Sequence, residues 1–201
     1  MTDPSAAGRS ALVLTASDRS AEGTREDASG SGLAERLEAL GFTVERAVVA
    51  DDSDAIADAL RAGAERHRLI VTTGGTGLTP RDVTPQATQA VVDYEVPGLA
   101  ETIRSEGRRS TPFAALSRAV VGVRGSTLIV NTPGSPQAAL ESLEAIVPVL
   151  DHALETLAGP FDHATGSAAD PTGGTGDAPG DSTEDQHDFG RRVANEPDDA
   201  D

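Results

Sequence analysis

The stretch LIVTTGGTGLTPRDVTP, residues 69–85, decides the fold predicted for this chain. Residues 69–73 form a short apolar run rich in β-branched side chains, which is typical of a buried strand. Glycines follow at positions 74, 75 and 77, and glycine lets the backbone adopt dihedrals closed to other residues and approach a ligand closely. Thr84 and Pro85 are typical of a helix start, with Thr84 as N-cap and Pro85 at the first helical position. The stretch therefore predicts a strand, a glycine loop and a helix.

A glycine loop in this position suits an anion, because it offers unpaired N–H groups at the start of a helix. Asp82 lies within the loop, where its carboxylate is suited to hold a divalent metal between phosphates. The chain contains no lysine, so the loop is not a P-loop, and it lacks the spacing of a dinucleotide fingerprint. A ligand here must be held by backbone amides, hydroxyls, arginine or a metal. The alternative to a ligand site is that the glycines only allow the chain to reverse direction after the strand.

The composition narrows the class of protein. The chain has 201 residues, a net charge of −17 and no cysteine. The negative charge argues against nucleic acid and anionic membranes as partners. Without cysteine, disulfides, thiol chemistry and cysteine-based zinc sites are excluded. No apolar run reaches about 18 residues, and the N-terminus does not resemble a signal peptide, so the prediction is a cytoplasmic protein without a membrane span.

Composition also divides the chain into three regions. Residues 1–9 are small and polar and predict a flexible lead-in, and residues 10–161 predict one folded domain. From residue 162 onward the chain is acidic and poor in apolar side chains, so residues 162–201 predict a disordered tail that cannot bury enough surface to fold.

Within the domain, strands and helices alternate. The pattern predicts strands at 11–16, 42–49 and 69–73, with a helix after residues 29–32 that ends at Gly41 and another at 54–66. Short helices at 84–92 and 97–106, a strand pair at 117–123 and 126–131, and a long helix at 137–157 complete the chain. Alternating strands and helices predict an α/β fold, a three-layer α/β/α sandwich with a mostly parallel central sheet.

Three aspartates follow the first three strands. Asp18, Asp51 and Asp82 each come just after a strand, and ligands in parallel sheets bind at the carboxyl ends of the strands. We therefore expect these side chains to converge on one edge of the sheet. On the sequence alone, the carboxylate of Asp52 is as good a candidate ligand as that of Asp51.

Several blocks of residues together resemble one family. They are TASDR at 15–19 with DASG at 27–30, Asp51, TTGGTGLTPRDVTP at 72–85 and NTPGSP at 131–136, with PGLAE at 97–101, Arg104 and LSR at 116–118. This set resembles the molybdopterin adenylyltransferase family of molybdenum cofactor biosynthesis, which includes the G domain of gephyrin. The resemblance covers residues 11–159.

The resemblance implies a reaction and an assembly. Family members transfer AMP from ATP to molybdopterin with Mg²⁺ and release pyrophosphate, and a downstream protein then exchanges AMP for molybdate. They are α/β/α sandwiches and are commonly homotrimers. The resemblance thus implies molybdopterin and ATP as substrates and Mg²⁺ as the cofactor.

The resemblance also assigns roles to individual residues. Asp51 and Asp82 match the family's two critical aspartates, which would hold Mg²⁺ or orient the molybdopterin phosphate. The residues matched to nucleotide phosphates are Ser17, Asp18, Gly74, Gly75, Thr76 and Gly77. The residues matched to molybdopterin are Thr84, Asn131, Pro133, Gly134 and Ser135. The four histidines are scattered and receive no role.

Two other functions stay open at this point. One is a molybdopterin-binding relative with weak or no catalysis, and retention of both Asp51 and Asp82 favours the enzyme over it. The other is a hydrolase domain similar to the competence-damage family, which shares the fold and a related glycine loop. The block NTPGSP at 131–136 counts against the hydrolase.

Overall fold

A computed structural model describes residues 9–159, which form one six-stranded sheet with helices packed on both faces. The strands are β1 (Ser10–Ala16), β2 (Thr43–Val49), β3 (Leu69–Thr73), β4 (Tyr94–Glu95), β5 (Val121–Arg124) and β6 (Thr127–Thr132). The helices are α1 (Asp18–Ala21), α2 (Ala28–Ala39), α3 (Ser53–Ala64), α4 (Thr84–Gln89), α5 (Pro97–Ser110) and α6 (Pro136–Ala158). The predictions for the lead-in and the acidic tail concern residues that lie almost wholly outside this range.

The sheet confirms the predicted fold class. Its strand order is β2-β1-β3-β6-β5-β4. The first four strands in this order, β2, β1, β3 and β6, run parallel to one another. β5 runs antiparallel to β6, and β4 pairs antiparallel with β5 at the far edge. The order reverses at β1, which lies between β2 and β3, so the carboxyl ends of these three strands frame a crevice of the kind that binds ligands.

Two apolar cores explain why β1 and β3 are apolar throughout. Alternate residues of a strand face opposite sides of the sheet. Ala11 and Val13 pack on the face covered by α2, α5 and α6, whereas Leu12 and Leu14 pack on the face covered by α3 and α4. A strand that is buried on both faces is apolar at successive positions, so its sequence does not alternate between apolar and polar residues.

The last two strands begin later than predicted. β5 starts at Val121 instead of residue 117, because the preceding backbone is bonded elsewhere. The Arg118 amide donates to the Thr76 carbonyl at 3.0 Å, and the Ala119 carbonyl accepts from the Arg104 guanidinium at 3.0 Å. A 3₁₀ turn, Pro112–Leu116, precedes this segment.

α2, in contrast, begins earlier than predicted. Its first residue is Ala28, because the Asp27 carboxylate caps the helix by accepting a hydrogen bond from the Gly30 amide at 2.8 Å. The glycines at positions 30 and 32 therefore lie inside the helix. The loop predicted to precede it contains α1, a single turn capped by the Ser17 hydroxyl.

The prediction that Thr84 caps α4 was wrong. Thr84 is the first helical residue, Pro85 the second, and Val83 occupies the cap position without a side-chain bond. The Thr84 hydroxyl instead donates to the Gly74 carbonyl at 3.0 Å and is fully buried. This bond fixes the start of α4 to the glycine loop.

The long last helix was predicted within a residue at each end. Pro148 lies inside α6 without ending it, and the helix buries Leu143, Ile146 and Leu150 against the sheet. Across residues 9–159, no helix combines the length and the apolar character needed to cross a bilayer.

Candidate functional site

A polar cavity of about 180 Å³ opens at the carboxyl ends of β1, β2 and β3. It lies at the crevice that the strand order creates. The residues around it include Ser17, Asp27, Asp51, Gly74, Gly75, Arg81, Asp82 and Gly134. The predicted convergence of aspartates is therefore seen, with Asp51 and Asp82 lining the cavity and Asp18 bonded to Asp51 beside it.

Asp18 and Asp51 hold each other in place. The Asp18 carboxylate accepts from the Asp51 amide at 2.9 Å, and the Asp51 carboxylate accepts from the Asp18 amide at 3.1 Å. The other Asp18 oxygen accepts from the Arg81 guanidinium. The Asp51 amide first, and then Arg81, lower the pKa of Asp18. Asp18 is thus a charged residue that joins the ends of β1 and β2, with both its carboxylate oxygens already bonded.

The structure separates the two neighbouring aspartates. Asp52 is the N-cap of α3, where its carboxylate accepts from the Ala55 amide at 2.9 Å. Asp51 lines the cavity instead. The sequence left the choice between them open, and the structure favours Asp51 because the start of α3 uses the second carboxylate as a helix cap.

Asp82 is held by its own loop. One carboxylate oxygen accepts from the Thr79 amide at 2.8 Å and from the Thr79 hydroxyl at 2.7 Å. Burial acts to raise the pKa of Asp82, but the Thr79 donors, the Gly77 amide and the charge of Arg118 outweigh it and lower the pKa. Asp82 is therefore ionised at neutral pH and fixed in direction, which suits a carboxylate that holds a cation.

The glycine loop packs against the end of β1 and the start of α4. Gly74 has φ +97°, and a Cβ there would lie 2.3 Å from the Ala16 carbonyl oxygen. Gly75 has φ +62°, and its Cβ would lie 2.3 Å from the Thr84 hydroxyl oxygen. These two glycines are required by backbone conformation and by space.

Only part of the loop is open to a phosphate. The Gly74 amide donates to the Thr132 carbonyl at 3.3 Å, and the Gly77 amide faces the Asp82 carboxylate and helps to lower its pKa. Among the residues that the structure describes, the Gly75 and Thr76 amides have no such internal bond, and of the two Gly75 lines the polar cavity, where its amide is available to an anion.

The residues matched to molybdopterin are not all at the cavity. Gly134 lines it, and a Cβ at Gly134 would come within 3.3 Å of the Gly74 Cα. Ser135 caps α6, and the Pro133 carbonyl accepts from the Thr73 hydroxyl at 2.8 Å. Thr84 is buried beneath the loop.

Asn131 has a supporting position. It is fully buried, its carbonyl oxygen accepts from the Val120 amide at 3.2 Å, and its amide group donates to the Thr72 and Thr88 hydroxyls at 3.1 and 2.9 Å. The side chain thus joins β3, α4 and the segment before β5. This arrangement fixes the loop that follows β6 and leaves no open face for a ligand.

A second, apolar cavity of about 410 Å³ lies on the other side of the loop. Thr76, Gly77 and Pro133 form its edge nearest the polar cavity. Its outer wall contains Leu78 and Phe113, which are 64% and 75% exposed. Sequence reasoning missed this cavity, because its walls come from segments far apart in the chain.

Arg118 holds the glycine loop in place, a role that the sequence did not reveal. Its guanidinium donates to the Gly77 carbonyl at 2.7 Å and also to the Asp82 carbonyl. With the bond from its own amide to Thr76, Arg118 closes both ends of the segment 76–82. The block LSR at 116–118 marked this residue but not its partners.

We expect Arg118→Gln to loosen this segment while the fold persists. The change removes two hydrogen bonds from a charged donor, which are worth about 1.5–3 kcal/mol each, so amide exchange of residues 76–82 should accelerate about tenfold or more. Hydrogen exchange with mass spectrometry measures this. Arg124→Gln is the matched control, since Arg124 donates to the Val91 carbonyl far from the loop. Equal exchange of residues 76–82 in both variants would contradict the assignment.

Asp27 was noted in the sequence only as part of a motif, and it is bonded on several sides. Besides the Gly30 amide, its carboxylate accepts from the Thr15 hydroxyl at 2.8 Å and from the Arg46 guanidinium at 2.9 Å. Burial acts to raise the pKa of Asp27, but these three donors outweigh it and lower the pKa. Asp27 thereby joins β1, α2 and β2 at the wall of the cavity.

We expect Asp27→Asn to destabilise the fold in a pH-dependent way. At pH 7 the loss should be about 1–3 kcal/mol, because an amide has one accepting oxygen, which cannot serve Thr15 and Arg46 on one side and the Gly30 amide on the other. Because the pKa of Asp27 is lower in the folded than in the unfolded state, the ionised carboxylate stabilises the fold above the unfolded pKa of about 3.9. This stabilisation is lost as the pH falls through the folded pKa. The gap between wild type and variant in urea unfolding should therefore shrink below about pH 4. Asp58→Asn, at an exposed ion pair, is the control; a gap independent of pH would contradict the account.

Comparisons with known proteins agree with this geometry. Residues 12–152 match the family model described as "Probable molybdopterin binding domain". A molybdopterin adenylyltransferase from Helicobacter pylori is 38% identical over 156 residues, which cover 74% of this chain and 88% of that protein.

Two solved structures are similar over the same region. The molybdopterin biosynthesis enzyme MoaB from Thermus thermophilus is 50% identical with a TM-score of 0.71, covering 76% of this chain and 98% of that one. The molybdopterin biosynthesis Mog protein from Mycobacterium ulcerans is 45% identical with a TM-score of 0.72, covering 75% and 99%.

Proposed function

This chain belongs to the family of molybdopterin-binding domains, and on that premise we propose that it is a molybdopterin adenylyltransferase, which transfers AMP from ATP to molybdopterin in molybdenum cofactor biosynthesis. The observation that carries the proposal is the meeting of Asp51, Asp82 and the glycine loop at one cavity. A phosphate cradle beside two carboxylates suits phosphoryl-type transfer, which depends on positioning and charge neutralisation more than on covalent catalysis.

In this reaction an oxygen of the molybdopterin phosphate attacks the α-phosphorus of ATP. The bond from that phosphorus to the bridging oxygen breaks, and pyrophosphate leaves with the electron pair. The Gly75 amide, which lines the cavity without an internal bond, would donate to a phosphate oxygen, and the Ser17 hydroxyl, which also lines the cavity, would be a further donor. The side of the cavity at Gly134 is where we place the molybdopterin phosphate.

The donors at the cavity fit Mg²⁺, which we propose as the cofactor. The part of the chain that the structure describes contains no group of three or more acidic, histidine or cysteine side chains arranged to hold a metal ion by themselves. Mg²⁺ is commonly held by one or two carboxylates together with substrate phosphates, and Asp51 and Asp82 supply that number. When bound, the ion would neutralise charge on the phosphates. Thr79 and the Asp18 amide hold the two carboxylates in position.

The wider setting is proposed on the same basis. The family resemblance supports a homotrimer and a downstream protein that inserts molybdate. The net charge of −17 disfavours nucleic acid and anionic membranes as partners and fits a cytoplasmic enzyme.

The test is pyrophosphate release. Purified protein with Mg²⁺ and ATP should release pyrophosphate only when molybdopterin is added. Release without molybdopterin would indicate a hydrolase, and tight molybdopterin binding without release would indicate a binding protein. Either result would contradict the proposed transferase.

A further inference from the structure

The polar cavity is short of positive charge for its proposed substrate. Glu26, Asp27, Asp51 and Asp82 line it, and the cations of its wall are Arg25 and Arg81. Asp27 is paired with Arg46. A triphosphate that enters among these carboxylates needs cationic donors as well as a metal, since like charges repel strongly in a partly enclosed site.

Arg81 and Arg25, the two cations of the cavity wall, differ from Arg118 and Arg46 nearby, and Arg81 is the one that adjoins Asp82 in the chain. The guanidinium of Arg118 is occupied by the Gly77 and Asp82 carbonyls, and that of Arg46 is bonded to Asp27. Arg81 has a side chain that is 65% exposed, and within residues 9–159 its hydrogen bonding is to one oxygen of Asp18. Most of its donors are therefore open to a ligand.

The partner of Arg81 is easily exchanged. Asp18 is itself 37% exposed, and exposed ion pairs contribute little to stability. Asp18 also keeps its bond to the Asp51 amide when the guanidinium leaves. A phosphate group can take two N–H bonds from the planar fork of arginine, whereas Asp18 offers Arg81 one oxygen because the other accepts from the Asp51 amide.

We propose that Arg81 leaves Asp18 on nucleotide binding and holds the β- and γ-phosphates of ATP, the pyrophosphate that departs in the reaction. Arg81 directly precedes Asp82, so the turn that fixes one proposed metal ligand also carries this cation. Its exposure places it at the solvent side of the cavity, where the leaving group must exit. As the bond from the α-phosphorus breaks, the electron pair stays on pyrophosphate, and Arg81 stabilises that charge by donating N–H bonds without giving up a proton. The inference rests on the proposed function.

The test is direct binding of Mg²⁺·pyrophosphate to the full chain by calorimetry, beside Mg²⁺·pyrophosphate inhibition of adenylyl transfer. We expect Arg81→Gln to weaken pyrophosphate binding about tenfold or more, and Arg81→Lys to recover part of it, because an ammonium keeps the charge but loses the fork. Molybdopterin binding should be unchanged. Arg61→Gln, which removes an exposed arginine paired with Asp58 away from the cavity, is the matched control and should bind like wild type.

The inference would be overturned by wild-type pyrophosphate affinity in Arg81→Gln, by a larger loss in Arg25→Gln, or by loss of molybdopterin binding instead of pyrophosphate binding. If Arg81→Gln does not fold, Arg81→Lys alone provides the test. A severalfold loss of pyrophosphate affinity in Arg81→Lys would support the inference, and wild-type affinity would contradict it. Arg81-dependent pyrophosphate binding in a wild type that transfers no AMP would reject the proposed function while keeping the anion site. Transfer unaffected in Arg81→Gln would reject only the inference.

Discussion

Asp82→Asn is expected to reduce adenylyl transfer about 100- to 1,000-fold, the range seen when a preorganised electrostatic group is removed from an active site. The amide oxygen can still accept from Thr79, so the turn that positions residue 82 should persist. The variant loses the charge that would hold Mg²⁺ against the phosphates. Asp51→Asn should behave alike, because Asp51 lines the same cavity.

Asp52→Asn is the matched control for both variants. It removes a carboxylate next to Asp51, but asparagine caps helices about as well as aspartate, so α3 should be unaffected. Turnover within about threefold of wild type is expected on this basis. Steady-state rates at several Mg²⁺ concentrations provide the measurement. Full activity in Asp82→Asn, or an equal loss in Asp52→Asn, would contradict the assignment of the carboxylates.

Gly74→Ala is expected to destabilise the domain by about 3 kcal/mol or more. The added Cβ would lie 2.3 Å from a backbone oxygen of β1, and the φ of +97° is one that alanine rarely adopts. Since about 1 kcal/mol shifts the melting temperature of a protein of this size by roughly 2–4 °C, the midpoint should fall by about 6 °C or more.

Gly98→Ala controls for the substitution itself. Gly98 lies in α5, and apart from its chain neighbours and the backbone of its own helix no heavy atom lies within 4 Å of the position that a Cβ would occupy, so alanine should be neutral or stabilise the helix by up to about 1 kcal/mol. If Gly74→Ala had the same melting temperature as Gly98→Ala, the loop would be looser than the contacts of Gly74 indicate. Calorimetric melting of both proteins decides between these outcomes.

The sequence predicted those parts of the molecule that depend on local pattern. β1 and β3 were recognised because strands buried on both faces are apolar throughout, and the three aspartates were grouped because parallel strands end at one edge. What sequence reasoning missed depends on partners far along the chain. Thr84 was expected to cap its own helix but bonds Gly74, and the Asn131 side chain is held by hydroxyls on β3 and α4.

The start of α2 was missed for a similar reason. Asp27 caps α2 and at the same time accepts from Thr15 and Arg46, and nothing local distinguishes such a residue from another loop acid. The choice between Asp51 and Asp52 likewise required the observed start of α3. Arg118 belongs to a recognisable block, but its role in closing the glycine loop depends on a contact with Gly77, 41 residues away in the chain.

Adenylyl transfer to molybdopterin is seen most directly by detecting the AMP–molybdopterin adduct with mass spectrometry. Wild-type protein would be mixed with molybdopterin, ATP and Mg²⁺, and the reaction stopped within a single turnover. The account predicts adduct in amounts equal to the pyrophosphate released, with little or none from Asp82→Asn. Pyrophosphate release without adduct, or equal adduct from wild type and Asp82→Asn, would contradict it.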